Sequence, residues 1–346
     1  WIESGYKHGR LHPMRLTLAL LLALLSAPLV THAQTTSKPA TVRDHLWLFA
    51  CPPGGDAEYL ENAGYRGGSR MTPVEGAHWL DIPNLVFVTQ DHTRPSLRWA
   101  EIKWKAKTTM DQWAISFESL KKVSWSAVGS SGSGGLKTLP DIVSIAKTYP
   151  HVTSVYLDDF VKDRHRREDK AFVGRPAMSE EDLKSMRAQL SKVGRPMEVW
   201  TTLYAYDLDP QHPDYTHCEP PLVDSLKHFD VIVLWTWKSD DLKDLEKNLA
   251  RLEAAKPKDT KIALGLYLWD YTGVDETKKA DPTYRFGKPT PPDLMELQCG
   301  LGLKWLKEGR VRDLVILGNT HLDIGAPSAP WMRQWIKQHG DEKLGH

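Results

Sequence analysis

The stretch His151-Val-Thr-Ser-Val-Tyr-Leu-Asp-Asp-Phe160 carries two adjacent carboxylates, Asp158 and Asp159, at the point where an apolar run stops. An apolar strand that delivers acids at its C-terminal end is the usual way a parallel α/β barrel places catalytic groups. The run before them alternates and is rich in β-branched and aromatic residues, the pattern of a buried strand. Asp also suits turns, so a single Asp at a strand end needs no functional explanation. The pair, and what stands at the ends of the other strands, favours the catalytic reading.

The elements that would hold these acids can be read from the apolar patterning. Eight segments predict strands: 45–51, 84–90, 122–128, 152–158, 198–204, 230–236, 261–269 and 312–318. Most are continuous apolar runs, as in a parallel sheet covered on both faces. Helical stripes fill the gaps. Ser239 is a candidate cap for a helix whose Leu242, Leu245, Leu249 and Leu252 share a face. Thr290-Pro291 starts another that carries Leu294, Leu297, Leu301 and Trp305 and stops at Gly309. Met110 to Leu120, the run after Ser179, and the segment around Trp331, Trp335 and Ile336 supply more.

Strands alternating with helices predict an α/β fold, a single (β/α)₈ TIM barrel over residues 41–346. Connections from helix to strand are short. Those from strand to helix are long (52–83, 129–135, 160–177, 205–221 and 271–289), which elaborates the one face where such barrels build their sites. An open doubly wound sheet is the alternative, but no Gly-rich nucleotide fingerprint follows the first strand.

Collecting the strand ends gives one basin. Strand 1 ends in Cys51-Pro-Pro-Gly-Gly-Asp56 and strand 2 in Gln90-Asp91-His92. Strand 3 offers Trp125 and Ser126, strand 4 Asp158 and Asp159, and strand 5 Tyr204, Tyr206 and Asp207. Strand 6 offers Trp235, Trp237 and Lys238, strand 7 Trp269, Asp270 and Tyr271, and strand 8 Asn319 and His321. A carboxylate-lined, aromatic-rich mouth suits carbohydrate chemistry. Glycoside hydrolysis needs one protonated and one ionised carboxyl group, and flat rings stack on sugar C–H faces. Aromatics at barrel strands also pack against helices, so the 14 Trp are not all candidates for the mouth.

Side chains alternate along a strand. Ser154 and Tyr156 share a face with Asp158, and apolar Val155 and Leu157 share one with Asp159. The expectation is that Asp158 points to the centre and that Asp159 orients a neighbour or begins the loop. Asp270 is the expected second carboxylate, with Asp91 and Asp207 as fallbacks. Trp125, Tyr204, Tyr206, Trp235, Trp237, Lys238, Trp269, Tyr271, Asp91, His92 and His321 are the candidate substrate contacts. The segment Lys162 to Arg175 carries six basic and three acidic residues. It reads as a solvated charged loop or as a contact for an anionic sugar.

The run Tyr156-Leu157-Asp158-Asp159-Phe160 resembles the fourth-strand signature of glycoside-hydrolase-like (β/α)₈ barrel proteins. That resemblance implies that the first Asp occupies a nucleophile or acid position. Thr153-Ser154 stand where an Asp-Gly pair often precedes the strand core, so no particular family follows.

The rest of the chain bounds the setting. Met14, Arg15, the apolar run Leu16–Val30 and Thr31-His32-Ala33 predict a secretory signal peptide over 14–33, preceded by an upstream extension, 1–13, and followed by a polar linker, 34–40. No Cys stands at the cleavage point, which argues against a lipid anchor. With 45 basic and 44 acidic residues the chain gives no sign of binding nucleic acid or, after cleavage, a membrane. Of the three Cys, Cys51 and Cys218 could pair, and Cys299 reads as a buried thiol. No zinc-site spacing and no cofactor fingerprint is present, so no metal or cofactor is expected. The sequence therefore predicts an exported glycoside hydrolase acting on an oligo- or polysaccharide. A non-catalytic carbohydrate-binding barrel and a metal-dependent hydrolase are the alternatives.

Overall fold

The computed structural model describes residues 39–345 except 55–59, 61–62, 66–67, 89–107, 130–131, 170, 276–277 and 279–283. Ala40–His346 make one compact unit. Its centre is a closed ring of eight parallel strands: β1 (Leu46–Ala50), β2 (Asn84–Phe87), β3 (Lys122–Val128), β4 (Val152–Leu157), β5 (Glu198–Tyr204), β6 (Val231–Trp235), β7 (Lys261–Tyr267) and β8 (Asp313–Leu317). Strands consecutive in sequence are neighbours around the ring, and β1 closes on β8 with Leu46 opposite Leu314. The barrel follows from the eight apolar runs: each strand is buried on both faces, by helices outside and by side chains inside.

The outer layer holds α1 (Pro73–Leu80), α2 (Met110–Ser116), α3 (Leu139–Thr148), α4 (Glu180–Leu190), α5 (Leu245–Ala255), α6 (Pro292–Lys307) and α7 (Ser328–His339), with a 3₁₀ segment, Leu222–His228, between β5 and β6. Side-chain caps start α1, α2 and α4, from Thr72, Thr109 and Ser179. Ser179 caps α4, its hydroxyl accepting from the Asp182 N–H while the Asp182 carboxylate takes the Ser179 N–H, a reciprocal box that satisfies two end donors. Ser239 behaves otherwise. The chain there is a 3₁₀ turn, Ser239–Asp244, before α5 begins, and the Ser239 N–H goes to Asp270. Leu242, Leu245, Leu249 and Leu252 are nonetheless all buried, as their shared face requires.

Alternation sorts the strand residues into two cores. Val155 and Leu157 join Leu48, Phe87, Leu203, Leu234, Leu264 and Ile316 beneath the helices. Tyr156 joins Trp47, Phe49, Trp200, Val233, Trp235 and Tyr267 within the barrel. The interior is layered. Trp47 and Trp200 lie 4.6 Å apart low in the ring, and above them Phe49 meets Tyr156 and Trp235 edge-on at 5.8 and 5.6 Å. Gly265 on β7 makes room for this layer, since a Cβ there would come within 2.0 Å of the Trp235 ring. The N-terminal end of the ring is closed by charge. Arg312 donates to Glu198 at 2.6 and 3.1 Å and to Asp313 at 2.6 Å, and His45 lies 3.4 Å from Asp313.

Two features depart from the sequence reading. The segment after β4 is not a loop: Val161–Arg166 and Phe172–Pro176 pair antiparallel, and Thr216–Cys218 adds in parallel beside the second. This small sheet belongs to the same end of the barrel as Asp159. Among the described residues no disulfide joins Cys51, Cys218 or Cys299, so the Cys51–Cys218 pairing is not made. Cys218 is built into the added sheet opposite Gly174, whereas the Cys51 backbone is bonded to the Asn319 side chain by β8. Among the described residues, no helix is long and apolar enough to cross a membrane.

Candidate active site

Asp158 follows β4 on the interior face, almost fully buried at 7% exposure. It ends a one-way chain of hydrogen bonds. The Trp235 indole N–H, a donor only, gives to the Tyr156 hydroxyl at 3.2 Å. Tyr156 and Thr202 share a hydrogen at 2.8 Å, and the Thr202 hydroxyl donates to Asp158 Oδ1 at 3.1 Å. Since Thr202 spends its hydrogen on Asp158, Tyr156 must donate to Thr202, and every hydrogen points towards the acid. Burial, then the neighbouring Asp159 charge, push the Asp158 pKa well above the ordinary carboxylate value, against the opposing Thr202 bond.

Asp159 does not continue the strand. Its φ of 40° puts it in the left-handed region, where Asp is among the more tolerant residues. The turn brings two consecutive carboxyl groups to one end of the barrel, which strict alternation would forbid. The Tyr204 hydroxyl donates to Asp159 Oδ1 at 2.7 Å. Tyr204 and Tyr206 stack with centroids 5.1 Å apart and planes 5° from parallel. Tyr267, buried at the end of β7, meets Trp235 at 5.0 Å and Tyr271 at 5.9 Å. Burial, and then the charges and hydroxyls around them, raise the hydroxyl pKa values of Tyr204 and Tyr267 well above normal, so both are neutral donors.

Asp207 is a third acid of this cluster. It is buried, its Oδ2 accepts from the Tyr204 N–H at 3.4 Å, and its Oδ1 has no partner among the described residues. Burial raises its pKa to about 7, with the Asp159 charge adding and Arg164 subtracting. Asp270 is differently placed. Its Oδ1 accepts from the N–H groups of Ser239 at 3.0 Å and Thr272 at 2.8 Å, and Lys288 is 3.7 Å from Oδ2. Burial alone would raise its pKa, but the bonds from Thr272 and Ser239 win and lower it. It therefore ties the loops after β6 and β7 together as a charged carboxylate. The charge that acts on Asp158 is that of Asp159.

The remaining candidates divide by where alternation sends them. Trp235 forms the floor under Tyr267. Trp237 is partly exposed and stacks on Tyr271 at 5.6 Å and 24°, a flat face open at the mouth. Lys238 pairs with Asp214 and lies 5.7 Å from the Trp237 ring. Trp269 is fully buried, its indole N–H on the Phe286 carbonyl at 3.0 Å and its ring 5.2 Å from buried His321, so both line the interior wall. Trp125 is a correction. It is fully buried on the outer face of β3 among Phe87 at 5.2 Å and Phe117 at 6.0 Å, because its parity on the strand directs it to α2 and away from the mouth. Asp91 and His92 lie outside the described residues.

Sequence reasoning put Tyr156 on the Asp158 face without giving it a role, and left Thr202 and Tyr267 inside strands. Their signal was parity: Tyr156 and Asp158 are two apart, as are Thr202 and Tyr204, so each pair shares a face.

No protein-family model matches the sequence, and no curated protein matches it. Its structure is similar to solved barrels. An endo-1,4-β-xylanase from Caldicellulosiruptor owensensis has a TM-score of 0.45 at 13% identity, over 81% of this chain and 88% of that one. The spore cortex-lytic enzyme SleL of Bacillus cereus has a TM-score of 0.46 at 12% identity, over 89% and 77%. A GH128 endo-β-1,3-glucanase from Amycolatopsis mediterranei, solved with laminaritriose, has a TM-score of 0.42 at 11% identity, over 84% and 99%. Similarity at this level concerns the barrel alone, and the chemistry of the mouth rests on its own residues.

Proposed function

We propose that the chain is an exported glycoside hydrolase in which Asp158 is the general acid. The observation that supports this most directly is the directed Trp235–Tyr156–Thr202 chain ending on a buried carboxyl group with its pKa raised. A carboxyl group whose pKa is raised by burial and a neighbouring charge is a better-placed proton donor to a glycosidic oxygen as the C–O bond breaks. Asp159, fixed by Tyr204, supplies the negative charge beside the developing oxocarbenium ion and is the base for the incoming water. Trp237 on Tyr271 is the platform for a sugar ring. Asp270 shapes the mouth through the loops it joins. Export rests on the apolar run and cleavage pattern of residues 14–33.

The test is release of reducing ends from a panel of oligo- and polysaccharides. Wild type should release them, Asp158→Asn should lose at least about 10³-fold in kcat while still retaining glycan, and Tyr204→Phe should fall between. Wild-type turnover by Asp158→Asn removes the assignment. Retention of glycan by the wild type without any new reducing ends would identify a binding barrel instead. Recovery of the chain outside the cytoplasm, beginning after Ala33, would support export.

A further inference from the structure

The added sheet beside Asp159 carries a strip that glycosidic chemistry alone does not require. From Asp159 the contacts run outward through the hydroxyl of Tyr204, the stacked ring of Tyr206, and the Arg164 guanidinium 5.5 Å from that ring. Arg164 also sits 3.7 Å over Phe172, and Arg166 lies 4.4 Å over the same ring. The path from the acids to the edge of the sheet is thus tyrosine, tyrosine, arginine, phenylalanine, arginine.

The cations of this strip are unequally paired. Asp214 is the carboxylate that Arg164, at 3.9 Å, and Lys238 both use, so two cations share one anion. Arg164 also spends two of its N–H groups on the Thr216 hydroxyl and the Asp214 carbonyl at 3.1 and 3.0 Å, which fixes the guanidinium in place. Arg166 is exposed and has no ion pair among the described residues. The same segment does pair a charge elsewhere: Asp163 holds Arg175 at 2.6 Å. Arg166 is thus the outermost cation of the aromatic path, its guanidinium over Phe172 and open to solvent.

We propose that this strip is a binding track for an anionic glycan, a chain bearing carboxylate or sulfate groups, which enters the mouth past Arg166 and Arg164. Planar guanidinium groups take such anions by paired hydrogen bonds, and rings beneath them hold them in position for this. The intervening Tyr206 and Phe172 faces suit sugar C–H surfaces. The inference rests on the glycosidase reading and specifies its substrate class.

The experiment measures calorimetric binding of hexasaccharides to the full chain carrying Asp158→Asn: oligogalacturonate and a chondroitin sulfate hexamer against laminarihexaose and xylohexaose. At least one anionic hexamer should bind tighter than both neutral ones, with affinity falling as salt rises. Binding of oligogalacturonate, which carries carboxylates alone, shows that carboxylates suffice; binding of the chondroitin sulfate hexamer alone, which carries both groups, points to its sulfates. Arg166→Glu should weaken that binding by about tenfold or more, and Arg166→Lys should weaken it less, because it keeps the charge but loses the paired donors. Arg166 is exposed, so these variants should fold, and equal thermal midpoints would show that they do. Equal binding of neutral and anionic hexamers, or unchanged affinity in Arg166→Glu, overturns the track. Failure of the two readings is separable. Cleavage of a neutral glycan with no preference for anions leaves the hydrolase and removes the track. Salt-sensitive binding of an anionic hexamer that wild type never cleaves leaves the track and removes the hydrolase.

Discussion

The side-chain amide of Gln298 brackets Tyr267: its Oε1 accepts from the Tyr267 N–H at 3.0 Å and its Nε2 donates to the Tyr267 carbonyl at 2.9 Å. Gln298 is buried on α6, and the Thr290 hydroxyl adds a third bond to the same carbonyl at 3.1 Å. The ring that β7 sends to the mouth is thereby held from the helix layer behind it. Gln298→Leu removes an acceptor and a donor where water cannot replace them. The expected loss is roughly 2–4 kcal/mol, visible as a lower midpoint in urea. Gln298→Glu keeps both bonds only while its buried carboxyl group is protonated, and should recover stability at acid pH and lose it as pH rises.

The raised pKa values of Asp158 and Asp207 cost stability. The folded chain keeps a proton that the unfolded chain releases above the ordinary carboxylate pKa, so stability falls as pH rises through that window. For Asp207 the window runs from 3.8 to about 7, and for Asp158 it opens at the same ordinary value and extends well above it. An amide mimics the protonated acid and does not titrate. Asp207→Asn should therefore be more stable than wild type at pH 7 by roughly 2–4 kcal/mol, and the difference should vanish near pH 4. Asp158→Asn should likewise gain stability while losing turnover. Urea titrations at stepped pH would check both, and an Asp207→Asn chain less stable than wild type at pH 7 would contradict the raised value.

Much of this was legible from residue pattern. Eight apolar runs fixed the ring, since a segment such as Val-Ile-Val-Leu-Trp can only be buried on both faces. Parity alone sent Tyr156 and Asp158 inward and Val155 and Leu157 outward. The turn at Asp159 was less legible, because its left-handed backbone brings a second carboxyl group to the mouth against that parity. Asp270 looked equivalent to Asp158 because both end strands. What separates them is the partners' identity: backbone N–H groups of Ser239 and Thr272 for one, a threonine hydroxyl and a second carboxylate for the other. The added sheet was hidden by its charge, since Val161–Arg166 holds five charged or imidazole side chains and its strand form depends on pairing with Phe172–Pro176.

Trp125 and Trp237 should respond oppositely to truncation. Trp125 is fully buried between β3 and α2, and replacing it with Ala opens a large cavity. The expected cost is about 3–5 kcal/mol, with KM unchanged in the fraction that stays folded. Trp237 is partly exposed and stacked on Tyr271. Trp237→Ala should cost under about 1 kcal/mol and raise KM roughly 3–10-fold. Denaturation midpoints and steady-state kinetics on the two variants would separate packing from substrate contact. A raised KM in Trp125→Ala would return that residue to the mouth.

At the opposite end of the barrel, His45 and Asp313 give stability a second and separate pH dependence. The hydrogen bond to Asp313 raises the His45 pKa, against partial burial. Burial would raise the Asp313 pKa, but His45 and Arg312 lower it. Because the folded pKa of His45 exceeds the unfolded value of 6.5, its contribution is complete below that pH and is lost as pH rises through the folded value. The Asp313 contribution is present above the ordinary carboxylate pKa and fails only when acid titrates the folded group. Wild type should thus lose stability on the alkaline side of pH 6.5, by up to about 1 kcal/mol for a pair that is partly solvated. His45→Gln should show a shallower slope there by about that amount, while the fall contributed by Asp158 and Asp207 remains. Stability curves that coincide from pH 6 to pH 9 would show that the pair contributes nothing at the closed end of the ring.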